Sequence, residues 1–234
     1  MKLLVDSGST KADWISIDET GKILFTTQTL GLNPEVLNKE EIISRVNDRF
    51  DISLNKENVT HLFFYGAGCG TDRMKDFLTD VFKEYFPNAT VVVHEDTYAA
   101  VYATTPKNEK AIVCILGTGS NAALYDGQNI IKEAVSLGYI LGDEGSGYSL
   151  GKKLIHSIFL KTANVELIED FETTYTLSLE GLLNEIYKKP NPNRYIASFS
   201  PFISKNRKNP DVANIINSAF EEFLSLVVHP LNPE

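Results

Sequence analysis

Two stretches of this sequence share one pattern, and that pattern decides the fold. Residues 2–29 read KLLVDSGSTKADWISIDETGKILFTTQT, and residues 111–135 read AIVCILGTGSNAALYDGQNIIKEAV. In both stretches an apolar strand leads into a tight turn of Gly, Ser and Thr, followed by a second strand, a polar turn and a third strand. Aligning the Gly-Ser pairs at positions 8–9 and 119–120 brings the two stretches into register. The sequence therefore predicts a duplicated structure.

Strand and helix patterns alternate after the first stretch, and helical spacing dominates from residue 144 onward. Mixed sheets flanked by crossover helices, repeated twice, predict an α/β protein with two lobes, 1–106 and 107–234, and a central cleft between them. Ligands usually bind in such a cleft. Beyond the two quoted stretches, the spacing predicts helices over 36–50, 71–86 and 211–228 and strands over 61–65 and 90–94.

The charge balance argues against a nucleic-acid partner. The 234 residues carry 22 Lys and Arg against 31 Asp and Glu, a net charge of -9, and no cluster of Lys and Arg stands out. The chain runs from Met1 directly into an apolar strand, without an apolar stretch long enough for a signal peptide or a membrane span. We therefore expect a cytoplasmic protein with no membrane partner.

Both cysteines have apolar neighbours in the sequence. Cys69 and Cys114 lie far apart along the chain. This placement predicts two small buried hydrophobic side chains in a reducing compartment, rather than a disulfide or a metal site.

The first turn offers several groups that bind phosphate. Gly8 would let backbone N–H groups approach an anion closely, and Ser9, Thr10 and Lys11 add hydrogen-bond donors. The carboxylate of Asp6, at the end of the preceding strand, is suited to hold hydrated Mg²⁺. The pattern predicts a phosphate clamp, although an ordinary solvent-exposed turn has the same composition.

The second turn repeats this chemistry with Gly117, Thr118, Gly119 and Ser120. A duplicated fold that presents such a turn from each lobe can hold a triphosphate from both sides, so the pair of turns favours ATP binding. Neither turn contains the Walker sequence of P-loop proteins, and no Gly-x-Gly-x-x-Gly opens a helix. P-loop and dinucleotide-binding folds therefore lack their central motif here.

Asp96 follows the apolar strand over 90–94 and precedes the small residues Ala99 and Ala100. A carboxylate at a strand end that faces the cleft is well placed to accept a proton from a substrate hydroxyl, which makes Asp96 the candidate general base. An aspartate that only caps the following helix would show the same pattern. Farther along, the glycine-rich segment 141–147 holds two carboxylates that would serve sugar hydroxyls or a metal, or form a surface turn.

Three segments together resemble a known family, namely Asp6–Trp14, Gly117–Asn121 and Leu141–Tyr148. They are similar to the N-acetylglucosamine kinase branch of the BadF/BadG/BcrA/BcrD ATPase family. The resemblance implies the duplicated RNase H-like, or actin-like ATPase, fold that acetate kinase, sugar kinases, heat-shock ATPases and actin share. It also implies an enzyme that uses ATP and Mg²⁺ to phosphorylate a small-molecule amino sugar, with N-acetylglucosamine as the first choice and its 6-phosphate as the product.

The resemblance assigns roles to single residues as well. It implies that Asp6 acts with Mg²⁺, that Asp96 is the catalytic base, and that the two Gly-Ser-Thr turns hold the phosphates. Substrate contacts are implied at Asn33, Gly68, Asp96, Thr118, Asn121 and Asp143.

Several alternatives stay open at this stage. The acceptor could instead be glucosamine or N-acetylmuramic acid, since residues 136–138 depart from the Gly-Gly-Trp-Gly type of sequence in the animal enzymes. The chain could also be an ATPase that activates a dehydratase, or a sugar sensor without catalysis. A homodimer is as compatible with the sequence as a monomer. The second lobe is expected to lack the terminal strand and helix of the family, with the adenine site beyond residue 234.

Overall fold

The structure, a computed structural model, describes residues 1–8 and 10–231. The chain divides into two compact units, of which the first is Met1–Thr104 and the second starts at Thr105. Each unit has its own sheet and its own hydrophobic core.

The first unit is built on a single mixed sheet. Its strands are β1 (Lys2–Ser7), β2 (Lys11–Ile17), β3 (Ile23–Leu30), β4 (His61–Gly66) and β5 (Thr90–His94). They lie in the order β3-β2-β1-β4-β5, with an antiparallel meander of β1 to β3 and with β4 and β5 parallel to β1. The central strand β1 is therefore paired on both edges, and Asp6 lies between Asp13 and Tyr65.

The described residues of this unit form four α-helices, α1 (Lys39–Asn47), α2 (Phe50–Ser53), α3 (Asp72–Tyr85) and α4 (Asp96–Thr104), and one 3₁₀ turn, Lys56–Asn58. The helix predicted over 71–86 is confirmed as α3. The prediction of a single helix over 36–50 is wrong. Helix α1 begins only after Asn38, whose side chain accepts a hydrogen bond from the N–H of Glu41 in a capping box. Arg49 then adopts an extended conformation, which separates α1 from α2.

Trp14 is the largest fully buried side chain of the first core. Its indole N–H donates to the hydroxyl of Thr29 at 3.1 Å, so burial leaves the indole N–H with a hydrogen-bond partner. Alternation along β1 turns Leu3 and Val5 into the same core and leaves Asp6 exposed on the other face. The strand that buries the core therefore also presents a candidate metal-binding carboxylate.

The second unit repeats the meander with β6 (Ala111–Leu116), β7 (Ser120–Tyr125) and β8 (Ile130–Glu133). These strands pair antiparallel in the order β6-β7-β8, and a glycine-rich turn joins the first strand to the second, as in the first unit. The repeated topology confirms the duplicated α/β fold. Among the described residues β6 is paired on one edge only, whereas its counterpart β1 is paired on both.

One of the two predictions about cysteines is wrong. Cys69 is buried, as predicted, whereas Cys114 is exposed. Along β6 the side chain of Val113 is buried and that of Cys114 takes the opposite face, because successive strand residues point to opposite sides of a sheet. An apolar neighbourhood in the sequence does not reveal which face a strand residue takes.

The rest of the second unit is helical, as predicted from residue 144 onward. Its helices are α5 (Gly138–Leu141), α6 (Gly147–Phe159), α7 (Val165–Thr174), α8 (Leu179–Lys188), α9 (Pro192–Ala197), α10 (Ser200–Lys205) and α11 (Pro210–Phe223). The helix predicted over 211–228 ends in a π-helical turn, Leu224–Val228. No helix of the residues that the structure describes is both long and apolar enough to cross a membrane.

Close packing of α6 against α9 depends on Gly151. A β-carbon built at Gly151 would lie 2.1 Å from the carbonyl oxygen of Ile196, well inside contact distance. Leu154 and Ile158 of α6 are buried in the helical core next to this contact. Glycine therefore lets the two helices approach more closely than a side chain would permit.

Gly151→Ala should destabilise the protein by about 1–3 kcal/mol, because the added methyl group forces α6 away from α9. Urea denaturation followed by circular dichroism measures the change. Gly181→Ala in α8 is the matched control, since its β-carbon would meet Ser178 at an ordinary 3.4 Å. That control should stabilise the helix by roughly 0.5–1 kcal/mol. Equal stability of Gly151→Ala and the wild type would contradict the packing argument.

Candidate active-site residues

The end of β1 is a junction for two loops of the first unit. The hydroxyl of Ser7 accepts a hydrogen bond from the N–H of Leu32 at 2.9 Å, and the Ser7 carbonyl accepts one from the N–H of Ala67 at 2.9 Å. Ser7 is only 1% exposed, so both bonds are made inside the protein. The loops that follow β3 and β4 are thereby fixed at the same strand end.

These two loops bring Asn33 and Gly68 into contact. Gly68 has a φ of +83°, and a β-carbon there would lie 2.1 Å from Oδ1 of Asn33. The same Oδ1 accepts a hydrogen bond from the N–H of Glu35 at 2.9 Å, which fixes the amide group. The structure thus joins two residues for which substrate contacts were predicted, although 35 positions separate them.

Asp96 is the first residue of α4, directly after β5 and Glu95. Burial raises the pKa of its carboxyl above the ordinary value. The backbone N–H of Thr97 donates to the carboxylate and opposes the rise in pKa, whereas the negative charges of Asp6 and Glu95 add to it. Asp96 is therefore a carboxylate that holds a proton more readily than a solvated aspartate, which is the property required of a general base.

The turn after β1 is only partly described, and Ser9 lies outside the described residues. The backbone at Gly8 is open, since an added β-carbon would meet only the carbonyl of Lys11, at 3.8 Å. Lys11 forms an ion pair with Asp13 at 2.8 Å. The carbonyl of Thr10 accepts a hydrogen bond from the N–H of Gly31 at 3.0 Å.

The two aspartates at this end of the sheet repel each other. Burial raises the pKa of the Asp6 carboxyl and the charge of Asp13 adds to the rise, while Lys11 opposes it. Excess negative charge at this strand end favours a cation, which is the chemistry predicted for Asp6. Among the described residues no cluster of three or more His, Cys, Asp or Glu is arranged to chelate a metal ion.

Lys75 and Glu95 belong to the same region, and sequence reasoning missed them. The ammonium nitrogen of Lys75, on α3, lies 3.8 Å from Oε1 of Glu95. A β-carbon at Gly70 would lie 3.7 Å from the same oxygen. Burial, and then the charges of Asp96 and Glu95, raise the pKa of the Cys69 thiol to about 12. No pattern in the sequence predicts the ion pair between Lys75 of α3 and Glu95, the residue before α4, because the two lie 20 positions apart.

In the second unit the glycine-rich turn between β6 and β7 is held by the start of α6. The N–H of Gly147 donates to the carbonyl of Gly117 at 2.8 Å, and the N–H of Tyr148 donates to the carbonyl of Thr118 at 3.1 Å. The first N–H groups of a helix have no partner within the helix, so the turn satisfies donors that would otherwise be unpaired. Turn and helix therefore keep a fixed relation.

Asp143 lies against this turn and fixes its second half. Its Oδ1 accepts a hydrogen bond from the N–H of Ser120 at 3.1 Å, and a β-carbon at Gly119 would lie 2.8 Å from its Oδ2. Asp143 reaches this position through a left-handed backbone, with φ of +66°. Three predicted site residues are therefore brought together in the second unit.

The backbone geometry of the segment after Asp143 requires its glycines and serines. Gly145 also has a positive φ, +72°, and a β-carbon there would lie 2.8 Å from Cβ of Phe223. Ser146 is fully buried and caps α6, its side chain accepting a hydrogen bond from the N–H of Ser149 at 3.2 Å. The segment with two carboxylates therefore forms a compact connection that holds Asp143 against the glycine-rich turn.

A cavity of about 430 Å³ lies beside Asp143 in the second unit. Asn121, Asp143 and Glu144 give it polar groups, and its apolar walls are formed by Val135, Leu137, Leu141, Leu226, Val227 and Leu231.

The hydroxyls of Ser120 and Thr97 are buried without a hydrogen-bond partner among the described residues. Unpaired buried hydroxyls are uncommon, and here each belongs to or adjoins a predicted site residue.

Comparisons with known proteins assign the chain to a family. The profile of the BadF/BadG/BcrA/BcrD ATPase family matches residues 5–231. An N-acetylmuramic acid/N-acetylglucosamine kinase of Clostridium acetobutylicum is 28% identical over 167 residues, which are 67% of this chain and 54% of that protein. An N-acetyl-D-glucosamine kinase of Dictyostelium discoideum is 24% identical over 170 residues, 66% of this chain and 52% of that protein. The chain thus spans about half the length of these curated relatives.

A solved structure is more similar along the whole chain. It is a candidate N-acetylglucosamine kinase from Porphyromonas gingivalis, with 37% sequence identity and a TM-score of 0.91. The similarity covers 99% of this chain and 82% of that one.

Gly68→Ala should cost more stability than Gly21→Ala. Both positions have a positive φ, +83° and +86°, so an alanine introduces a backbone strain of roughly 1–2 kcal/mol at each. Only Gly68 also has a side chain in the way, because Asn33 fills the space, while nothing lies within 4 Å at Gly21. Urea denaturation should show an additional loss of about 1–3 kcal/mol for Gly68→Ala. Equal losses would mean that Asn33 moves freely and that its contact with Gly68 does not fix it.

Proposed function

Because the chain belongs to the BadF/BadG/BcrA/BcrD ATPase family, we propose that it is an ATP-dependent sugar kinase. The names of its relatives favour an amino sugar as the acceptor, with N-acetylglucosamine first and its 6-hydroxyl as the reacting group. The observation that carries the proposal is the environment of Asp96. Asp96 is partly buried and its carboxyl has a raised pKa, and its negative charge helps raise the pKa of the thiol of Cys69, the neighbour of Gly68, which contacts Asn33.

Asp96 is the proposed base. It accepts the proton of the sugar hydroxyl while the hydroxyl oxygen bonds to the γ-phosphorus of ATP and the bond from that phosphorus to the β,γ-bridging oxygen breaks, so that ADP leaves. A raised pKa brings the base closer to the pH at which it works and makes the proton transfer more favourable. Since phosphoryl transfer needs little covalent help, the remaining residues act by positioning the reactants and balancing charge.

The phosphate contacts are proposed at the glycine-rich turns. In the first unit these are Gly8, Ser9, Thr10 and Lys11, and the open backbone at Gly8 supports close approach of an anion. In the second unit they are Gly117, Thr118, Gly119 and Ser120, where α6 holds the turn rigidly. A rigid turn loses little conformational entropy when it binds a phosphate group.

Asp6 is the proposed Mg²⁺ residue, and the residues around it fit that ion. Asp6 is exposed as a residue at a strand end, while its carboxyl group is partly shielded from solvent, and its ionised form is further destabilised by the charge of Asp13. Because a full cage of protein ligands is missing among the described residues, Asp6 would hold a largely hydrated ion, which is how Mg²⁺ usually binds beside phosphates. When bound, the ion neutralises negative charge on the phosphates.

The proposed sugar contacts are Asn33 and Gly68 in the first unit and Thr118, Asn121 and Asp143 in the second. The contact between Asn33 and Gly68 supports the first set, because it orients an amide group that can donate to and accept from sugar hydroxyls. The hydrogen bond from Ser120 to Asp143 supports the second set in the same way.

A panel of sugars tests the function. Coupled measurement of ADP release with N-acetylglucosamine, glucosamine, N-acetylmuramic acid and glucose separates the acceptors, and NMR of the product locates the phosphate. We expect the highest kcat/KM for N-acetylglucosamine and phosphate on its 6-oxygen. Release of ADP without any sugar phosphate would favour an ATPase that activates another enzyme, and sugar binding without turnover would favour a sensor.

Asp96→Asn should lower kcat by about 10²-fold or more while sugar affinity changes little, since the amide keeps the shape of the side chain and loses the base. Calorimetric titration gives the affinity and the coupled assay gives kcat. Asp51→Asn, at an exposed carboxylate on α2 of the same unit, is the control and should match the wild type. Turnover of Asp96→Asn within a few-fold of the wild type would remove Asp96 from the mechanism.

Glu95→Gln should shift the acidic limb of the pH profile of kcat/KM to lower pH. Asp96 must be deprotonated to act, so activity rises with pH through the pKa of Asp96, which lies above its ordinary value. The charge of Glu95 contributes to that rise, and its removal therefore lowers the pKa. The control Glu57→Gln changes an exposed carboxylate and should leave the limb in place. A limb that moves to higher pH, or stays fixed in Glu95→Gln, would mean that another group controls it.

A further inference from the structure

Two parts of the proposed site in the first unit lie on different elements of the chain. The loop over 66–71 carries Gly68, a proposed sugar contact, and leads directly into α3. Asp96, the proposed base, begins α4 just after β5. A base removes a proton only within hydrogen-bond distance, and a displacement of about 1 Å can lower the rate by about 10²-fold. The distance between the loop and the start of α4 therefore bears directly on turnover.

The loop runs beside two carboxylates at the start of α4. A β-carbon at Gly70 would lie 3.7 Å from Oε1 of Glu95, the residue before Asp96. Cys69 is fully buried, and the negative charges of Asp96 and Glu95 add to the effect of burial in raising the pKa of its thiol. Two successive residues of the loop are thus neighbours of this pair of carboxylates.

Lys75 supplies an attraction across this boundary. It is the fourth residue of α3, whose cap Thr71 ends the loop and accepts a hydrogen bond from the N–H of Met74 at 3.3 Å. The ammonium nitrogen of Lys75 lies 3.8 Å from Oε1 of Glu95, and the two side chains are only 27% and 18% exposed. Its other ion pair, with Asp72 at 4.0 Å, stays within α3. Since a pair that is shielded from water is screened less by salt, the contact with Glu95 joins α3 to the start of α4.

We propose that Lys75 is a positioning residue, which by its ion pair with Glu95 holds the loop over 66–71 at the distance from Asp96 that proton transfer requires. This inference rests on the proposed kinase function. One planar peptide unit connects Glu95 to Asp96, so a restraint on Glu95 also restrains the base. In this role the ammonium group of Lys75 binds neither the sugar nor a phosphate.

The attachment of α3 to its own unit does not depend on this ion pair. Leu78, Val81 and Phe82 of α3 are buried in the first hydrophobic core and hold the helix against the sheet. Ion pairs that are partly exposed contribute little to the free energy of unfolding. Loss of the charge of Lys75 should therefore leave the fold intact while the loop gains freedom relative to Asp96.

Lys75→Met tests the proposal, because methionine keeps an unbranched apolar stem and removes the charge. We expect kcat for the amino sugar to fall by about 10-fold, since the loop and the base no longer keep their distance. The urea midpoint and the calorimetric affinities for the sugar and for an ATP analogue should stay close to those of the wild type. Lys75→Arg keeps the cation and should recover most of the lost turnover.

Lys39→Met is the matched control. It removes a second ion pair of α3, between Lys39 of α1 and Glu84 near the opposite end of α3 from Lys75. This variant should keep the kcat of the wild type, because the contact that it breaks does not involve the loop or the start of α4.

A double-mutant cycle tests whether Lys75 acts through Glu95. Residues that act through one shared contact give non-additive losses, so the combination of Lys75→Met and Glu95→Gln should lower kcat no further than Lys75→Met alone. The values are compared on the alkaline plateau of each pH profile, where a shifted acidic limb has no effect.

Hydrogen exchange followed by mass spectrometry gives a readout that does not depend on catalysis. In Lys75→Met the amides over 66–71 should exchange about 10-fold faster than in the wild type, because local opening of the loop costs less. The amides of the central strand β1 should exchange at the rate of the wild type.

Each of four results would overturn the proposal. They are an unchanged kcat of Lys75→Met in an enzyme that phosphorylates the sugar, additive losses in the double variant, unchanged exchange over 66–71, and a weakened affinity for sugar or nucleotide, which would make Lys75 a ligand contact. A wild type without sugar phosphorylation would instead refute the proposed function, and the exchange measurement would still decide whether Lys75 holds the loop.

Discussion

One buried serine organises the candidate residues of the first unit. Ser7 accepts hydrogen bonds through both its hydroxyl and its carbonyl, from Leu32 and Ala67. These bonds attach the loops that carry Asn33 and Gly68 to the end of the central strand. Because Ser7 is buried, loss of either bond would leave a buried polar group unpaired at a cost of about 1–3 kcal/mol. The geometry of the proposed sugar contacts in the first unit therefore depends on a residue outside the proposed set of contacts.

Both units position a polar side chain by placing a glycine beneath it. Asn33 lies against Gly68 in the first unit, and Asp143 lies against Gly119 in the second. The absent β-carbon allows an amide or a carboxylate to rest on the backbone, where it is held by a main-chain N–H, that of Glu35 or Ser120. The duplicated fold thus repeats a way of building a site as well as an order of strands.

The repeat could be predicted because strands and tight turns leave a local signature, and the glycine-rich turns could be predicted for the same reason. Other features depend on contacts that no local pattern contains. The apolar spacing over 36–50 is continuous and therefore predicts one helix. The structure departs from it because Asn38 caps α1 and the extended backbone at Arg49 separates α1 from α2. The exposure of Cys114 depends on which face of β6 the core covers, and a strand that is apolar on both faces does not reveal this. The pair of Lys75 and Glu95 forms only when α3 packs beside β5.

The described strands of the first unit all precede the second unit in the chain. Among the described residues the sheet of the first unit ends with β5 at His94 and its last helix at Thr104, so the five strands pair with one another within the first 104 residues. During synthesis on the ribosome this unit can collapse around Trp14 and bury its core while the second is still being made. Early pairing shortens the time for which strand edges are exposed to neighbouring nascent chains, and this limits misassembly between them.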